Sequence, residues 1–378
     1  YAVTGLGDSS VIFTGEFSQT ADFGSTTLTA GSDTDGASDL FIAKLNSDGT
    51  YAWAKKEGGR GRDIPHALTT LSDDSVVVAG EFKRLLDFGY NKKLTVYGDT
   101  DAFITKLDKD GNYLWARDID ATLPSRTYGL TSLSDDSIIA TGNNSNTASF
   151  DGITLGSGGY VTKLRGSDGQ FLWAIENGNR GQGVASLSDG SVVVTGNFSS
   201  TATFGSTTLT SAGNDDIFIA KLDSNGDYLW AKQGGGSSRE HAYGITSLSD
   251  NSSIVTGLFS GTATFGSTTL TAAHYDIFIA KLDSNGDYLW AKSAGGASYD
   301  GGYDITSLSD GSSIVTGCFN GTATFGSTTL TSAGNYDAFI AKIDSDGNYL
   351  WAKQGGGSSS DMGHGITSLS DSSSIVTG

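Results

Sequence analysis

The chain repeats one phrase of roughly sixty residues along its length. Thirteen residues, AKLDSNGDYLWAK, occupy positions 220–232 and return unchanged at 280–292, and a close copy, AKIDSDGNYLWAK, occupies positions 341–353. Self-similarity at a fixed period is typical of repeat architectures, in which each repeat is one supersecondary unit that packs against its neighbours. One repetitive architecture, treated as a single domain over residues 1–378, is therefore expected to account for the whole sequence.

Each repeat is predicted to contain four short β-strands, which we name a, b, c and d. Alternating apolar and polar residues mark them in the later copies as ITSLSD, SSIVTG, DIFIAKLD and DYLWAK. The segment TATFGSTTLT between strands b and c is interpreted as a long polar loop. Seven repeat starts align on one position: Tyr1, His66, Tyr128, Gln182, Tyr243, Tyr303 and His364.

The chain thus holds six complete repeats and strands a and b of a seventh. A four-stranded sheet with no helix to cover it cannot bury both of its faces alone, so neighbouring sheets must cover them. Radial packing of such sheets predicts an all-β fold, a β-propeller of four-stranded blades, with seven blades favoured. An open β-solenoid is the alternative. The 54 glycines and only two prolines agree with many tight turns.

The repeated residues also resemble a known family. ITSLSDGSSIVTG at 305–317, followed by YDAFIAKIDSDGNYLW at 336–351, is similar to the bacterial seven-bladed β-propeller repeat of the SBBP type. The phrase also resembles the blade of quinoprotein dehydrogenases, although its Asp-to-Gly step, Asp223 to Gly226, is one residue shorter. The resemblance implies the architecture more strongly than a function, because propellers serve as lectins, adhesins, scaffolds and enzymes.

Composition narrows the possible partners. The net charge of −19 would repel nucleic acids and anionic membranes, so no nucleic-acid partner is expected. No apolar run has the length needed to span a bilayer, so no membrane insertion is expected either. The lone Cys318 excludes an internal disulfide. An acidic, nearly cysteine-free chain rich in Gly, Thr and Asp is compatible with bacterial export, and we expect an extracellular or cell-surface location.

Two residue types recur once per repeat and are interpreted as structural. All six tryptophans occupy one position in strand d, which predicts packing between blades: Trp53, Trp115, Trp173, Trp230, Trp290 and Trp351. A lysine stands inside each apolar strand c and is expected to pair with the aspartate of the a–b turn, since a buried ammonium needs a partner. These lysines are Lys44, Lys106, Lys163, Lys221, Lys281 and Lys342.

The c–d turn allows a calcium alternative. Asp223, Asn225 and Asp227 place oxygens at alternate positions, as at the start of an EF-hand loop, but the bidentate Glu of that loop is missing. A tight hairpin turn with Gly226 at positive φ explains every copy of the turn. No cofactor is therefore predicted, and weak Ca²⁺ binding at these three residues is left open.

Function is expected where the repeats differ. The d–a loops vary sharply and should share one face with the b–c loops, opposite an acidic face formed by the a–b and c–d turns. A protein or glycan ligand is expected on the d–a loop face. The binding-face candidates are Arg60, Arg62, Arg126, Arg180, Arg239, Tyr243 and Tyr303.

No catalytic residues are predicted. The four histidines show no metal-ligand spacing, and no nucleophile, base and acid can be assembled from the sequence. The sequence favours a non-enzymatic propeller that acts in adhesion or structural assembly as one module of a larger bacterial protein. A lectin-like, glycan-binding propeller is the alternative, and a propeller enzyme comes third.

The first prediction concerns the number of blades. Strands c and d of the seventh blade should come from residues outside 1–378 or from a neighbouring chain, because an incomplete blade leaves an open sheet edge that favours self-association. Two-dimensional class averages from electron microscopy should show seven blades. A closed ring of six blades with residues 364–378 disordered would contradict the prediction.

Overall fold

The protein is described by a computed structural model that covers residues 1–31, 38–59, 61–88, 93–96 and 100–378. These residues form strands and turns, and no helix occurs among them. They divide into two compact units: unit 1 is Tyr1–Glu176 with Leu369–Asp371, and unit 2 is Asn177–Ser368 with Ser372–Gly378. The all-β prediction is confirmed, whereas the single domain over residues 1–378 stays a prediction.

Unit 1 contains three blades with short hairpins inserted between strands b and c. Blade 1 consists of β1 (Ala2–Gly5), β2 (Val11–Phe17), hairpin strands β3 (Thr20–Phe23) and β4 (Thr26–Thr29), β5 (Asp39–Leu45) and β6 (Tyr51–Glu57). Blade 2 consists of β7 (Ile64–Thr70), β8 (Val76–Phe82), β9 (Leu85–Asp87), β10 (Lys93–Thr95), β11 (Asp101–Leu107) and β12 (Tyr113–Ala121). Blade 3 consists of β13 (Ser125–Ser132), β14 (Ile138–Asn144), β15 (Ala148–Phe150), β16 (Ile153–Leu155), β17 (Gly158–Leu164) and β18 (Phe171–Glu176).

Unit 2 contains three further blades and one two-stranded sheet. Blade 4 consists of β19 (Arg180–Ser186), β20 (Val192–Phe198), β21 (Thr201–Phe204), β22 (Thr207–Thr210), β23 (Asp216–Leu222) and β24 (Tyr228–Gly236). Blade 5 consists of β25 (Glu240–Ser247), β26 (Ser253–Phe265), β27 (Thr268–Leu282) and β28 (Tyr288–Gly296). Blade 6 consists of β29 (Asp300–Ser307), β30 (Ser313–Phe319), β31 (Thr322–Phe325), β32 (Thr328–Thr331), β33 (Asp337–Ile343) and β34 (Tyr349–Gly355), and β35 (Gly365–Ser368) and β36 (Ser374–Thr377) follow.

The four main strands of every blade form an antiparallel meander in the order a, b, c, d. Strand b is buried along its length in most blades, as in β20, where all seven residues are buried. Apolar side chains therefore point to both faces of the sheet, and within each unit the a strands of successive blades pack against one another. The predicted four-stranded repeat is confirmed.

The predicted loop between strands b and c is wrong, because TATFGSTTLT forms a hairpin with a buried aromatic side chain. In blade 4 the ring of Phe204 is buried and lies 4.8 Å from the ring of Phe218 and 5.4 Å from the ring of Tyr228. The polar residues of this segment suggested a loop, but they alternate with buried residues along the two hairpin strands. The equivalent phenylalanines of the other blades are Phe23, Phe88, Phe150, Phe265 and Phe325.

The hairpins also join neighbouring blades. The hairpin part of β26 in blade 5 pairs with the end of β24 in blade 4, where Gly236 faces Ala263. In the same way β31 of blade 6 pairs with β28 of blade 5, and β15 of blade 3 pairs with β12 of blade 2. Each of these hairpins therefore covers part of the open edge of the preceding strand d.

Four tryptophans join their blade to the next blade of the same unit, as predicted, whereas Trp351 is 36% exposed. The indole N–H of Trp230 donates to the carbonyl of Ser284 at 3.1 Å, in the c–d turn of the next blade. Trp290 donates to the carbonyl of Ser345 in the same way at 3.0 Å. Gly286 of the c–d turn lies on the Trp230 ring, since a Cβ at this position would come within 2.8 Å of it. Unit 1 repeats the arrangement with Trp53 and Trp115.

The predicted pairing of the strand c lysines with the a–b turns is confirmed in five blades. Lys221 in unit 2 has its Nζ 3.0 Å from Asp189 Oδ2, and Asp189 Oδ1 also accepts the amide of Ser191 at 2.9 Å. One aspartate thus closes its own turn and neutralises the lysine. The other pairs, at 3.1–3.8 Å, are Lys44–Asp8, Lys106–Asp73, Lys163–Asp135 and Lys342–Asp310.

We predict that Trp230→Ala and Trp290→Ala each destabilise the protein by about 3–5 kcal/mol, because each removes packing and one hydrogen bond between blades. Leu229 and Leu289, the neighbouring residues, are 56% exposed, so their alanine variants should change stability by less than about 0.5 kcal/mol. Urea denaturation followed by tryptophan fluorescence and circular dichroism measures all four. Equal stability of the tryptophan and leucine variants would contradict a packing role.

Candidate functional site

In blades 2 to 6 the first residue of the repeat lies in a β-bulge. In blades 2 to 6 the register between strands a and b shifts by one residue at this position, which leaves one side chain outside the ladder. Glycine of strand b makes the bulge possible: a Cβ at Gly257 would lie 1.9 Å from the carbonyl oxygen of His241. The bulged residues are His66, Tyr128, Gln182, Tyr243 and Tyr303.

In unit 2 the repeat-start residues Tyr243, Tyr303 and His364 form a row of rings. Tyr243 lies 5.6 Å from Tyr303, and Tyr303 stacks on His364 at 5.9 Å with an interplanar angle of 13°. The hydroxyl of Tyr303 lies 3.2 Å from the sulfur of Cys318 and 3.5 Å from the hydroxyl of Tyr299. Burial raises the pKa of Tyr243 and of Tyr303, so both phenols stay neutral. Two predicted binding residues, Tyr243 and Tyr303, are therefore adjacent.

Unit 1 places charged groups near the same repeat position. Glu16 accepts hydrogen bonds from Nε and Nη2 of Arg62, at 2.9 and 2.5 Å, and from the hydroxyl of Tyr1 at 2.5 Å. Burial would raise the pKa of Glu16, but these donors together with Ser38 lower it to about 2. The carboxylate is thus ionised, and it neutralises Arg62.

Two further arginines of the predicted binding face have acidic partners. Arg126 donates to Glu81 at 2.5 Å, and Arg239 Nε lies 3.2 Å from Asp215. Arg180 begins β19, and Arg60 lies outside the described residues. Acidic partners therefore balance the charge of Arg62, Arg126 and Arg239. Binding through the arginines stays a prediction.

The b–c and d–a loops lie side by side in unit 2, as the sequence predicted for one face. The amide of Glu240 donates to the carbonyl of Asp215 at 2.9 Å. The d–a loop is shorter than expected, since Gly234–Gly236 belongs to β24 and Glu240 to β25. We call this side of unit 2 the loop side.

One pair of positions on the loop side changes its chemistry from blade to blade. Between blades 4 and 5 a short parallel bridge joins Asp215 to Arg239, and between blades 5 and 6 the equivalent bridge joins Tyr275 to Tyr299. The ring of Tyr299 lies 5.6 Å from Tyr275 and 5.8 Å from Tyr336. We call Tyr275, Tyr299 and Tyr336 the tyrosine row. All three rings are half-buried, so one part of each remains open to solvent.

Sequence reasoning missed the tyrosine row because its members stand at different positions of different repeats. Tyr275 lies within β27 and Tyr336 directly precedes β33, whereas Tyr299 directly precedes β29. The available signal was substitution at aligned positions: Asp215, Tyr275 and Tyr336 occupy one position in copies that are otherwise nearly identical. Only the neighbouring loop shows that these residues meet Tyr299.

Buried acids at the blade junctions were also missed. Strand c begins with an aspartate in five of the six complete repeats, and an acid often stands three residues before the next repeat start. In unit 2 these positions hold Asp216 and Glu240, both fully buried, which approach each other beside Gly235. Burial raises the pKa of Glu240 to about 7, and the charge of Asp216 adds to the shift.

The calcium candidates of the c–d turn make local hydrogen bonds. Asp223 Oδ1 accepts the amides of Asn225 at 2.9 Å and of Asp227 at 3.0 Å, and Gly226 has φ of 91°. This arrangement is the predicted tight turn. Within the described ranges, no group of three or more His, Cys, Asp and Glu side chains is placed to hold a metal ion. Weak calcium binding at this turn stays a prediction.

A second surface feature lies among the a–b and c–d turns of unit 2, and we call the side formed by these turns the turn side. A cavity of about 520 Å³ between the a–b turns of blades 5 and 6 is lined by Leu248, Asp250, Lys281 and Ser345, among others. Asp250 and Lys281 stand at the two positions of the repeat that form ion pairs in other blades. The cavity therefore gives no residue set that is particular to one blade.

One family model matches a short part of the chain. Residues 25–50 match a family described as a domain of unknown function, DUF5122, with a β-propeller fold. No curated protein matches the chain. Similar solved structures include a protein of unknown function from Bacteroides caccae, with 12% identity, 85% of this chain and 93% of that chain covered, and a TM-score of 0.42.

Two further solved structures show the same level of similarity. BamB from Moraxella catarrhalis has 13% identity and a TM-score of 0.42, with 98% of this chain and 93% of that chain covered. The Pan2 WD40 domain from Neurospora crassa has 9% identity and a TM-score of 0.45, with 89% and 80% covered. The repeated blades and the family match identify this chain as a β-propeller repeat protein. Its assignment to the seven-bladed SBBP type stays a prediction.

The raised pKa of Glu240 predicts that stability falls as pH rises. The folded state holds the proton up to about pH 7, whereas the unfolded chain releases it near pH 4.5, so the folded state binds more protons between these values. The free energy of unfolding should therefore drop by up to about 3 kcal/mol between pH 4.5 and 7. Glu240→Gln should flatten this slope in urea denaturation with EDTA present.

Asp227→Asn is the matched control, because Asp227 is exposed on a turn and its loss should leave the pH dependence unchanged. A Glu240→Gln variant with the slope of the wild type would show that Glu240 titrates in the folded protein as it does in the unfolded chain.

Proposed function

We propose that this chain is a non-enzymatic binding module that recognises a protein partner through the loop side of unit 2. As part of a larger extracellular or cell-surface bacterial protein, it would act in adhesion or structural assembly, with seven SBBP-type blades as its scaffold. One observation carries the proposal: equivalent loop-side positions hold an Asp–Arg ion pair at one blade junction and a tyrosine pair at the next.

The contrast between these junctions argues against a purely structural role for the loop-side residues. The tryptophans, the strand c lysines and the bulge glycines recur from repeat to repeat because every junction needs them. If packing alone determined positions 215, 275 and 336, the nearly identical copies would carry the same residue there. A rigid scaffold with variable loop positions is the usual arrangement for recognition.

Tyrosine suits a protein partner. Its ring supplies contact area at a low cost in conformational entropy, and its hydroxyl forms hydrogen bonds, so tyrosine is enriched at protein interfaces. The tyrosine row has the exposed side chains of His274 and Asn335 beside it, which add polar contacts at the rim.

A lectin-like module is the second candidate, because half-exposed aromatic rings beside an amide side chain also suit a sugar. Blades 5 and 6 form the tyrosine row, so glycan binding would be expected at this one site rather than at every blade junction. The described part of the chain includes no helix with the length and apolar character needed to cross a membrane.

The chemistry of the side chains supports a non-enzymatic role. Cys318 is buried, and burial raises the pKa of its thiol to about 11, so little thiolate forms at neutral pH. Hydrogen bonds from Arg62 and Ser38 lower the pKa of Glu16, and His66 and Arg126 lower the pKa of Glu81, which makes both carboxylates poor bases.

We predict that Tyr275→Ala, Tyr299→Ala and Tyr336→Ala each weaken partner binding by about tenfold or more, as expected for aromatic residues at the centre of an interface. The measurement is surface plasmon resonance of the purified chain against a panel of extracellular-matrix proteins, in parallel with a glycan array. Circular dichroism confirms that each variant is folded.

Asp227→Asn and Asp287→Asn, on the turn side, are the controls and should bind like the wild type. The proposal is wrong if these turn variants lose binding while the tyrosine variants keep it. Multivalent binding to glycans without binding to any protein of the panel would favour the lectin instead.

A further inference from the structure

Acid pairs recur at the blade junctions, and one of them contains a buried carboxylate with no hydrogen-bond donor among the described residues. A pair consists of the first residue of strand c and the residue three positions before the next repeat start. We call these residues a junction acid pair. The described pairs are Asp39 with Asp63 in unit 1, and Asp216 with Glu240, Asp276 with Asp300, and Asp337 with Asp361 in unit 2.

In blade 1 a cation occupies the junction. Lys56 Nζ lies 2.8 Å from Asp39 Oδ2, and Asp39 is 1% exposed. Lys56 stands opposite Phe41 in the strand c–d ladder. The chain therefore uses one position of strand d to place an ammonium group against the aspartate that begins strand c.

The equivalent position in blade 5 is Ser293, which stands opposite Phe278. A serine side chain carries no charge and is too short to replace an ammonium group. Blade 5 also has Ala272 where blade 4 has Ser211, whose hydroxyl donates to Asp216 at 3.2 Å. Asp276 thus lacks the hydroxyl donor of blade 4 and the ammonium group of blade 1. The residues equivalent to Lys56 in blades 4 and 6 are Gln233 and Gln354.

Asp276 is consequently a buried carboxylate without a hydrogen-bond donor among the described residues. It is 9% exposed, and its Oδ1 atom is fully buried. Blades 4 and 6 differ here: Asp216 accepts the amide of Ala212, and Asp337 accepts the amide of Ala333, each at 3.1 Å. An unpaired buried carboxylate costs several kcal/mol, so an unassigned partner is expected.

The second acid of the pair faces the same space. Asp300 is fully buried and accepts the amides of Gly296 at 2.8 Å and Asn320 at 3.2 Å, which leaves further lone pairs on its oxygens. A Cβ at position 295 would lie 2.6 Å from Asp276 Oδ1 and 2.9 Å from Asp300 Oδ2. The absence of a side chain at Gly295 therefore lets oxygens of both carboxylates approach the same point of the backbone.

We propose that Asp276 and Asp300 bind a divalent metal cation with a preference for oxygen ligands, of which Ca²⁺ is the representative. Two carboxylates provide the charge of −2 that such an ion balances, and hard cations take carboxylate oxygens, backbone carbonyls and water as ligands. In this junction the metal ion takes the role that the Lys56 ammonium has in blade 1. The site is independent of the tyrosine row.

A bound ion would join blades 5 and 6, because Asp276 begins strand c of blade 5 and Asp300 begins strand a of blade 6. It would therefore stabilise the folded state in proportion to the concentration of free metal. The c–d turn at Asp223 lies on the turn side and uses different residues, so metal binding there can be separated by mutation.

The experiment titrates Ca²⁺ into EDTA-treated, dialysed chain at pH 7.5. Isothermal titration calorimetry gives the affinity, and thermal unfolding gives the shift in Tm. The wild type should bind Ca²⁺ and gain stability with rising concentration. Asp276→Asn should weaken the affinity by at least about tenfold, whereas Asp223→Asn, the control on the turn, should leave it unchanged.

Ser293→Lys provides the decisive variant, because it places in blade 5 the side chain that blade 1 already has. Its Tm without metal should exceed that of the wild type, and its response to Ca²⁺ should be lost. This variant keeps the proposal testable even if Asp276→Asn fails to fold, since it adds a favourable contact instead of removing one.

The proposal is overturned if the wild type neither binds Ca²⁺ nor changes its Tm, or if Ser293→Lys keeps the full Ca²⁺ response. A metal-independent protein whose stability falls with rising pH, with the fall abolished in Asp276→Asn, would show that the two acids share a proton instead. Loss of the Ca²⁺ response in Asp223→Asn alone would place the metal on the turn and also refute the junction site.

Discussion

The indole of the strand d tryptophan is the contact on which the packing of successive blades depends. It covers the face of one blade, and its N–H fixes the position of the next blade by donating to a backbone carbonyl of that blade's c–d turn. The glycine of this turn is required twice, because it adopts positive φ and because its missing Cβ leaves room for the ring. The repeated letters DSNGDYLW are therefore explained by contacts between blades.

The β-bulge adds a second constraint with the opposite effect. Glycine in strand b lets the carbonyl of strand a come close, and the extra residue at the repeat start leaves the ladder. Since this side chain has no partner strand to match, His, Tyr and Gln all occur there. The same scaffold thus holds some positions constant and leaves others free to vary, and the variable ones lie close to the loops.

Much of the fold was predictable from the sequence, whereas little of the site was. Strands, tight turns, the Trp contacts and the Lys–Asp pairs follow from periodicity and from the rule that buried charges need partners. The hairpin at Thr201–Thr210 was not foreseen, because its buried Phe204 stands among threonines and serines. Neutralisation of Arg239 by Asp215 was not foreseen either, because the two residues are far apart in sequence and meet only through neighbouring loops.

Repetition supplies the comparison that a single sequence otherwise lacks. Ala272 and Ser293 are unremarkable small residues by themselves, and neither suggests a site. Set against Ser211 of blade 4 and Lys56 of blade 1, they show that Asp276 lacks both the hydroxyl donor of one blade and the ammonium partner of the other. In a chain of similar blades, the loss of a group that neutralises or hydrogen-bonds a buried carboxylate is therefore as informative as the gain of a new side chain. Other blades show such groups beside the equivalent aspartate.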